Sequence, residues 1–327
     1  MLDALHNKTI TILGTGTWGW ALAHFLSQKD FQIRLWTPTG KNLDHLLSQR
    51  RHPRLPETRL KDSIVITDSL EEATCGVNTF VMAVASPFVR SVAEQLKNYV
   101  AQPTIISVTK GLEAQTALTM SEVIQSEIVD AKVCVLSGGS HAEEVIKGMP
   151  FALTATSSHQ ETAEWVASIF RQKNVGIDIS EDIRGVEISA ALKNIISIAT
   201  GIADGQQLGD NFRSALITRG LRAIRDLGVT CGANPNTFYK DCCLGDLLAT
   251  AFSMHSRNRK FGLLIGQGYS KAIALEKVGM AVEGLNALEG ALALAQKHQT
   301  TIPFRDTVID IVEGRKNPKA IIDLILQ

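Results

Sequence analysis

Cysteine is sparse and ill-placed in this chain of 327 residues: there are five, Cys75, Cys134, Cys231, Cys242 and Cys243. An odd number at irregular spacing fits no disulfide framework, and the adjacent Cys242-Cys243 makes a poor pair of metal ligands. Neither a stapled secreted scaffold nor a zinc module is expected, and a reducing compartment is. His24, His141, His255 and His298 are equally scattered, so no metal is expected from them. Net charge is lacking too: Lys+Arg and Asp+Glu each total 33. A chain with no charge surplus is not drawn as a whole onto nucleic acid or an acidic membrane, although local basic patches remain open. Met1-Leu-Asp-Ala-Leu-His-Asn-Lys8 holds no signal-peptide apolar core, and no run reads as long and apolar enough to span a bilayer. These absences together lead to the expectation of a cytoplasmic protein with no nucleic-acid partner and no membrane insertion.

Hydrophobic residues make up 45% of the chain and charged residues 20%, the proportions of an ordinary globular protein. The length allows two domains with separate cores. Strand-and-turn texture in the front part gives way after about Asp182 to long helix-period segments with short loops. The expected fold is α/β: an N-terminal Rossmann-type doubly wound sheet over 1–182 and an all-helical C-terminal domain over 183–327.

Thr9-Ile-Thr-Ile-Leu13 is rich in β-branched residues and reads as a strand. It runs into Gly14-Thr-Gly-Thr-Trp-Gly19, and Trp20-Ala-Leu-Ala-His-Phe-Leu26 follows as a helix. A G-x-G-x-x-G between a strand and a helix is a dinucleotide fingerprint. Gly14 permits the tight turn, Gly16 lets the backbone approach a pyrophosphate, and Gly19 allows close helix–strand packing. The helix start then offers free N–H groups to the phosphates. The next strand, Gln32-Ile-Arg-Leu-Trp36, continues as Thr37-Pro-Thr-Gly-Lys41 with no carboxylate to hold a ribose 2′-hydroxyl. A neutral or basic pocket tolerates a 2′-phosphate, which favours NADP(H), with Thr37, Thr39 and Lys41 as contacts. An ordinary Pro-Gly turn with a solvated lysine accounts for the same residues.

Three further strands, Thr79–Val84, Thr104–Val108 and Val133–Leu136, end in Ala85-Ser-Pro-Phe88, Thr109-Lys-Gly111 and Ser137-Gly-Gly-Ser-His141. Ligands of open α/β sheets lie outside the carboxyl ends of the strands. Lys110 and the Gly138–Ser140 turn are therefore placed on the ligand edge.

In the helical part, Lys193 interrupts a stretch of apolar and small residues from Gly185 to Ala203. Two readings stay open. Its stem packs at a helix edge with the ammonium in water, or the ammonium is buried and its pKa is pulled down toward proton-transfer range. Asp246, within Leu244-Gly-Asp-Leu247, orients a lysine or caps a helix. Ser256-Arg-Asn-Arg-Lys-Phe-Gly262 gathers three cations around a serine and an asparagine, either as an anion site or as a solvated helix start.

Through these segments the chain resembles the bacterial-type NAD(P)-dependent sn-glycerol-3-phosphate dehydrogenases. The resemblance is carried by Ile12–Gly19, Thr109–Glu113, Leu136–Glu144, Ala191–Ile195, Gly201–Gly205, Ala215–Gly220, Leu244–Leu247, Ser256–Gly262 and Val282–Gly284. It implies reversible reduction of dihydroxyacetone phosphate, a phosphorylated triose, to sn-glycerol 3-phosphate with NADP or NAD, supplying glycerophospholipid synthesis. It implies Lys193 as general acid/base on the C2 oxygen, supported by Asp246, with Lys110 and Asn194 positioning the substrate. Gly138 and Ser140 face the substrate, while Ser256, Arg257 and Asn258 hold its phosphate. Gly14, Gly16, Thr17, Trp18, Gly19, Lys110, Ala142, Arg257, Ala281 and Glu283 contact the dinucleotide. A homodimer is left open. The chain departs from the family pattern at Trp20, Pro38, Gly139, His141, Cys243 and Ala249–Ser253, which leaves a looser Gly138–Ser140 turn and altered cofactor access as expectations. Two other classes stay open. A lysine-dependent β-hydroxyacid dehydrogenase needs a carboxylate site instead, and the Ser256–Phe261 run with Lys193-Asn194 favours the phosphate ester. A non-catalytic NAD(P)-binding regulator should have lost a lysine or the arginine, and both lysines and Arg257 are present.

Overall fold

A β-branched strand flanked by parallel neighbours has both faces covered, and Thr9-Ile-Thr-Ile-Leu13 is buried at every position. It heads the strand series of a computed structural model that describes residues 8–40, 42–253 and 255–326. The segment 1–7, read above for a leader, and Lys41, read as a cofactor contact, lie outside the described residues. The chain divides into two units. The first takes the described residues up to Thr109 with Met120–Leu136 and Ser140–Glu181; the second takes Lys110–Thr119, Ser137–Gly139 and the described residues from Asp182.

The strands are β1 (Thr9–Leu13), β2 (Gln32–Trp36), β3 (Arg51–His52), β4 (Leu55–Arg59), β5 (Val65–Thr67), β6 (Thr79–Met82), β7 (Thr104–Ser107), β8 (Lys132–Ser137), β9 (Phe151–Ser157) and β10 (Val175–Ser180). Eight form one sheet in the order β10-β9-β8-β7-β6-β1-β2-β5, and β3 and β4 pair as a separate antiparallel ribbon. β1 is parallel to β2 on one side and to β6 on the other. The strand order therefore reverses at β1, the switch point beside which doubly wound sheets bind their ligands. Three strands of this sheet were not marked in the sequence: β5 is only three residues long, β9 is largely small and hydroxyl residues, and β10 is interrupted by Gly176 and Asp178. β5 and β10 are also the sheet edges, where burial is incomplete.

The glycine turn leaves β1 for helix α1 (Thr17–Leu26). The helix begins three residues before the expected Trp20, because the Trp20 N–H already donates to the Gly16 carbonyl at 2.9 Å. Gly14 sits at φ +120, and a Cβ there would lie 2.9 Å from the Ala83 carbonyl of the β6 exit. A Cβ on Gly19 would be driven into the Gly14 carbonyl oxygen. Trp20 does not alter access to the turn: it is fully buried in the first unit's core, its ring 5.9 Å from that of His52.

The second unit is built on α2 (Ile183–Gly205), with α3 (Gly209–Thr230), α4 (Asp246–Phe252), α5 (Arg257–Gly266) and α6 (Glu283–Lys297) among its other helices. Asp182 starts α2: its carboxylate accepts from the Gly185 N–H at 2.9 Å, the Asn234 N–H at 2.9 Å and the Thr237 hydroxyl at 2.6 Å. Here the sequence-level statement about membranes needs correction. α2 is long and apolar enough to cross a bilayer by length and composition, with a mean hydropathy of 1.3 over its most apolar window. That window is wholly buried in the protein, which makes α2 a core helix with no face left for lipid.

α2 and α5 approach backbone to backbone. A Cβ on Gly201 would run into the Arg259 carbonyl oxygen, and one on Gly262 into that of Ile198. Main-chain atoms cannot move aside as a side chain can, so Gly201→Ala is expected to cost about 3 kcal/mol. A urea titration checks this. An unchanged midpoint would mean that the helices part without penalty.

Candidate active site

Lys193 is 4% exposed, and its ammonium does not reach water along the helix edge. Its Nζ donates to Asp246 Oδ1 at 2.8 Å and to the Thr250 hydroxyl. The other carboxylate oxygen of Asp246 accepts from Lys110 Nζ at 2.6 Å, and Lys110 also donates to the Gly138 carbonyl at 3.1 Å. One carboxylate, itself 2% exposed, thus holds two ammonium groups that are distant in sequence. Asp246 opens α4 directly after a turn of π-helix, Asp241–Gly245, a geometry that is rare and concentrates at functional sites.

Thr250 belongs to this cluster and was not marked in the sequence. Its hydroxyl donates to the Asp246 backbone carbonyl at 2.6 Å, which leaves a lone pair for Lys193. The signal was available: Thr250 lies four residues after Asp246, on the same face of α4.

The electrostatics follow from burial. Loss of water pulls the Lys193 pKa down to about 8; the Asp246 charge resists the fall and the Lys110 charge adds to it. Burial on its own would raise the Asp246 carboxyl, but Lys110 and Lys193 more than reverse that and hold it below the usual carboxylate range. With both lysines protonated the cluster carries a net positive charge, suited to an anionic oxygen. Burial pushes the Cys134 thiol up to about 12 and that of Cys231 to about 11, away from the nucleophilic thiolate.

The Ser256–Gly262 run is sorted by its partners. Arg259 donates to Asp204 at 2.7 Å, and Arg213 donates to the other oxygen of Asp204 at 2.9 Å. Lys260 reaches the Lys277 carbonyl at 3.2 Å. Of the three cations Arg259 alone makes a short ion pair among the described residues, while Arg257 lies 3.8 Å from the Glu283 carboxylate. Ser256 caps α5 by accepting from the Arg259 N–H at 3.2 Å. The Gly284 N–H donates to Asn258 Oδ1 at 2.9 Å, and Asn258 Nδ2 donates to Asn194 Oδ1 at 3.0 Å. That chain commits the Asn194 oxygen as acceptor and leaves its NH2 as a donor beside Lys193. Gly139 lies against α4, where a Cβ would stand 3.1 Å from that of Ala249. Ala281 is exposed and Glu283 half-buried.

The remaining dinucleotide candidates belong to the first unit. Ala142 is packed in its core, and Ser140 is half-buried. Thr17 and Trp18 form the first turn of α1, which no side chain caps. Gly16 is exposed, and a Cβ there would meet no protein atom within 4 Å. Nothing in the chain's own packing requires glycine at that point, whereas a pyrophosphate resting on the helix start does, so these residues fit a dinucleotide.

Comparison with known proteins shows the family. Residues 9–163 match the family model for the NAD-dependent glycerol-3-phosphate dehydrogenase N-terminus, and residues 182–323 match that for its C-terminus. Over 312 residues the chain is 40% identical to the NAD(P)+ glycerol-3-phosphate dehydrogenase of Fusobacterium nucleatum, covering 94% of this chain and 93% of that one. It is 40% identical over 310 residues to the enzyme of that name from a Thermoanaerobacter species, covering 94% of each. The crystal structure of glycerol-3-phosphate dehydrogenase from Coxiella burnetii superposes with a TM-score of 0.94 at 32% identity, covering 98% of each chain. The fold is that of a dinucleotide-dependent oxidoreductase. The chain belongs to the NAD-dependent glycerol-3-phosphate dehydrogenase family.

Removing the shared carboxylate exposes its effect on Lys193. In Asp246→Asn the two ammonium groups lose their common counter-charge, and the Lys193 pKa is expected to fall below its present value of about 8. NMR titration of the labelled lysine ε-carbons reports it directly; a shift back toward 10.5 would contradict the role given to Asp246.

Proposed function

We propose that the chain carries out the reversible reduction of dihydroxyacetone phosphate to sn-glycerol 3-phosphate with NADH or NADPH, with Lys193 as proton carrier. The observation that supports this most is the buried Lys193–Asp246–Lys110 cluster, in which one lysine is drawn toward neutrality while still protonated near pH 7. A dinucleotide held at the Gly14–Gly19 turn and the start of α1 would supply the hydride for C2 in reduction and accept it in oxidation. The protein's part is to manage the oxygen and the phosphate.

In reduction, Lys193 Nζ gives its proton to the C2 oxygen as negative charge develops there. Lys110 adds a second cation to that environment, and the NH2 of Asn194, held by Asn258, donates to the same region. Arg257 takes the phosphate, with the start of α5 behind it, so that binding energy remote from C2 positions the reacting carbon. Ser256 and Asn258 support that site through the α5 cap and the Asn194 bond. Thr250 and Asp246 return Lys193 to its starting geometry after each transfer. In oxidation the neutral lysine accepts the proton.

The direction of the pH dependence follows. Protonated Lys193 is the acid in reduction, so the reductive rate is expected to fall as pH rises through about 8, while the oxidative rate rises over the same interval. Lys193→Ala is expected to lose turnover by about 10²- to 10⁴-fold and to keep cofactor affinity. Initial rates with dihydroxyacetone phosphate, set against 3-keto acids with the same cofactor, test the substrate class. Preference for a keto acid, or near-normal turnover in Lys193→Ala, would overturn the reading.

A further inference from the structure

Rossmann-type sheets read the ribose 2′ position at the end of the second strand, where a carboxylate accepts the free hydroxyl. From Gln32 to Lys41 the sequence has no acid, and on that ground NADP(H) is the expectation from the residues. The fold supplies an acid from a different strand. β5 runs parallel to β2, with Trp36 opposite Thr67. The alignment continues past the strand ends: the Thr37 N–H donates to the Thr67 carbonyl at 3.0 Å, and the Trp36 indole N–H donates to the Asp68 carbonyl at 3.0 Å. Asp68 is thereby held beside the turn that leaves β2. Its Oδ2 would stand 3.1 Å from a Cβ on Gly40, which sits at φ +60 in that turn.

The described residues of the turn, Thr37 to Gly40, include no cation. The arginine of β2 is already engaged, since Arg34 donates to the carbonyls of Glu72 at 2.8 Å and Cys75 at 2.7 Å. We propose that Asp68 is the specificity-determining residue for the cofactor, accepting the ribose 2′-hydroxyl of NAD(H) and repelling the 2′-phosphate of NADP(H). This rests on the reading of the Gly14–Gly19 turn as the dinucleotide site. It replaces the expectation of NADP(H) because the acid that the second strand lacks arrives from its neighbour in the sheet.

Cofactor binding to the full chain without substrate tests this, followed by nicotinamide fluorescence on titration with NADH and with NADPH. NADH is expected to bind about tenfold more tightly, the order of effect for a single charge beside a phosphate dianion in largely aqueous surroundings. Added salt should narrow the gap. Asp68→Asn keeps the backbone carbonyl that holds Trp36 and is expected to shrink the ratio about fivefold, mainly by gain of NADPH affinity. Wild-type protein that binds NADPH as tightly as NADH, or better, overturns the proposal, and this is also the result if Lys41 governs the site. So does an Asp68→Asn variant with an unchanged ratio. Binding of neither nucleotide would defeat the dinucleotide reading itself, and the proposal with it.

Discussion

Two ammonium groups share one buried carboxylate, and most of the second unit can be read as the means of keeping them there. Stripped of Asp246, the buried Lys193 would stand near the Lys110 ammonium with no counter-charge and would shed its proton more readily. With Asp246 between them Lys193 stays charged near neutrality, but only just, which is the condition for giving a proton up and taking it back. The carboxylate in turn depends on where its helix begins. The π turn Asp241–Gly245 delivers it, Thr250 one turn later braces it, and Gly138 takes the second hydrogen bond of Lys110. The two charge-assisted bonds to Asp246 are the strong contacts of that set, and the others fix their geometry.

The second layer of the site follows the same rule. Asn194 is adjacent to Lys193 in sequence, yet its orientation is decided far away, by an N–H at the start of α6 acting through Asn258. Asp204 plays a similar part for the cations, gathering Arg213 and Arg259. A cluster of positive charge in the sequence is divided in the structure, with Arg259 held by a carboxylate, Lys260 by a main-chain carbonyl, and Arg257 3.8 Å from Glu283.

The local features were the legible ones. A β-branched strand, three glycines at fixed offsets and a helix identify the first unit's turn, and two of those glycines, Gly14 and Gly19, answer to an atom on the neighbouring strand or within a few residues. Lys193 drew attention because an ammonium in an apolar helix is costly wherever it sits. What escaped the sequence is pairing across long separations. Arg259 and Asp204 are 55 positions apart, and Lys110 and Asp246 are 136 apart, so charge alone could not say which cations were already spent. The acid beside the β2 turn was invisible for the same reason, since parallel pairing of β5 with β2 is what brings it there. α2 was missed in the opposite sense: its apolar length is that of a membrane span although no such run was read in the sequence, and its burial shows that its solvent is protein.

The glycine contact between α2 and α5 bears on how the site ages and heats. Lys193 and Asn194 ride on one of these helices and Arg257 and Asn258 on the other, and the spacing between the helices is set where main chain meets main chain. Side chains in a warmed core hop between rotamers, but two backbones in contact have no such freedom short of separation. The distance between Lys193 and Arg257 is therefore referenced to covalent geometry rather than to packing. Such a site does not drift out of alignment by degrees; it persists while the two helices stay together and is lost when they part.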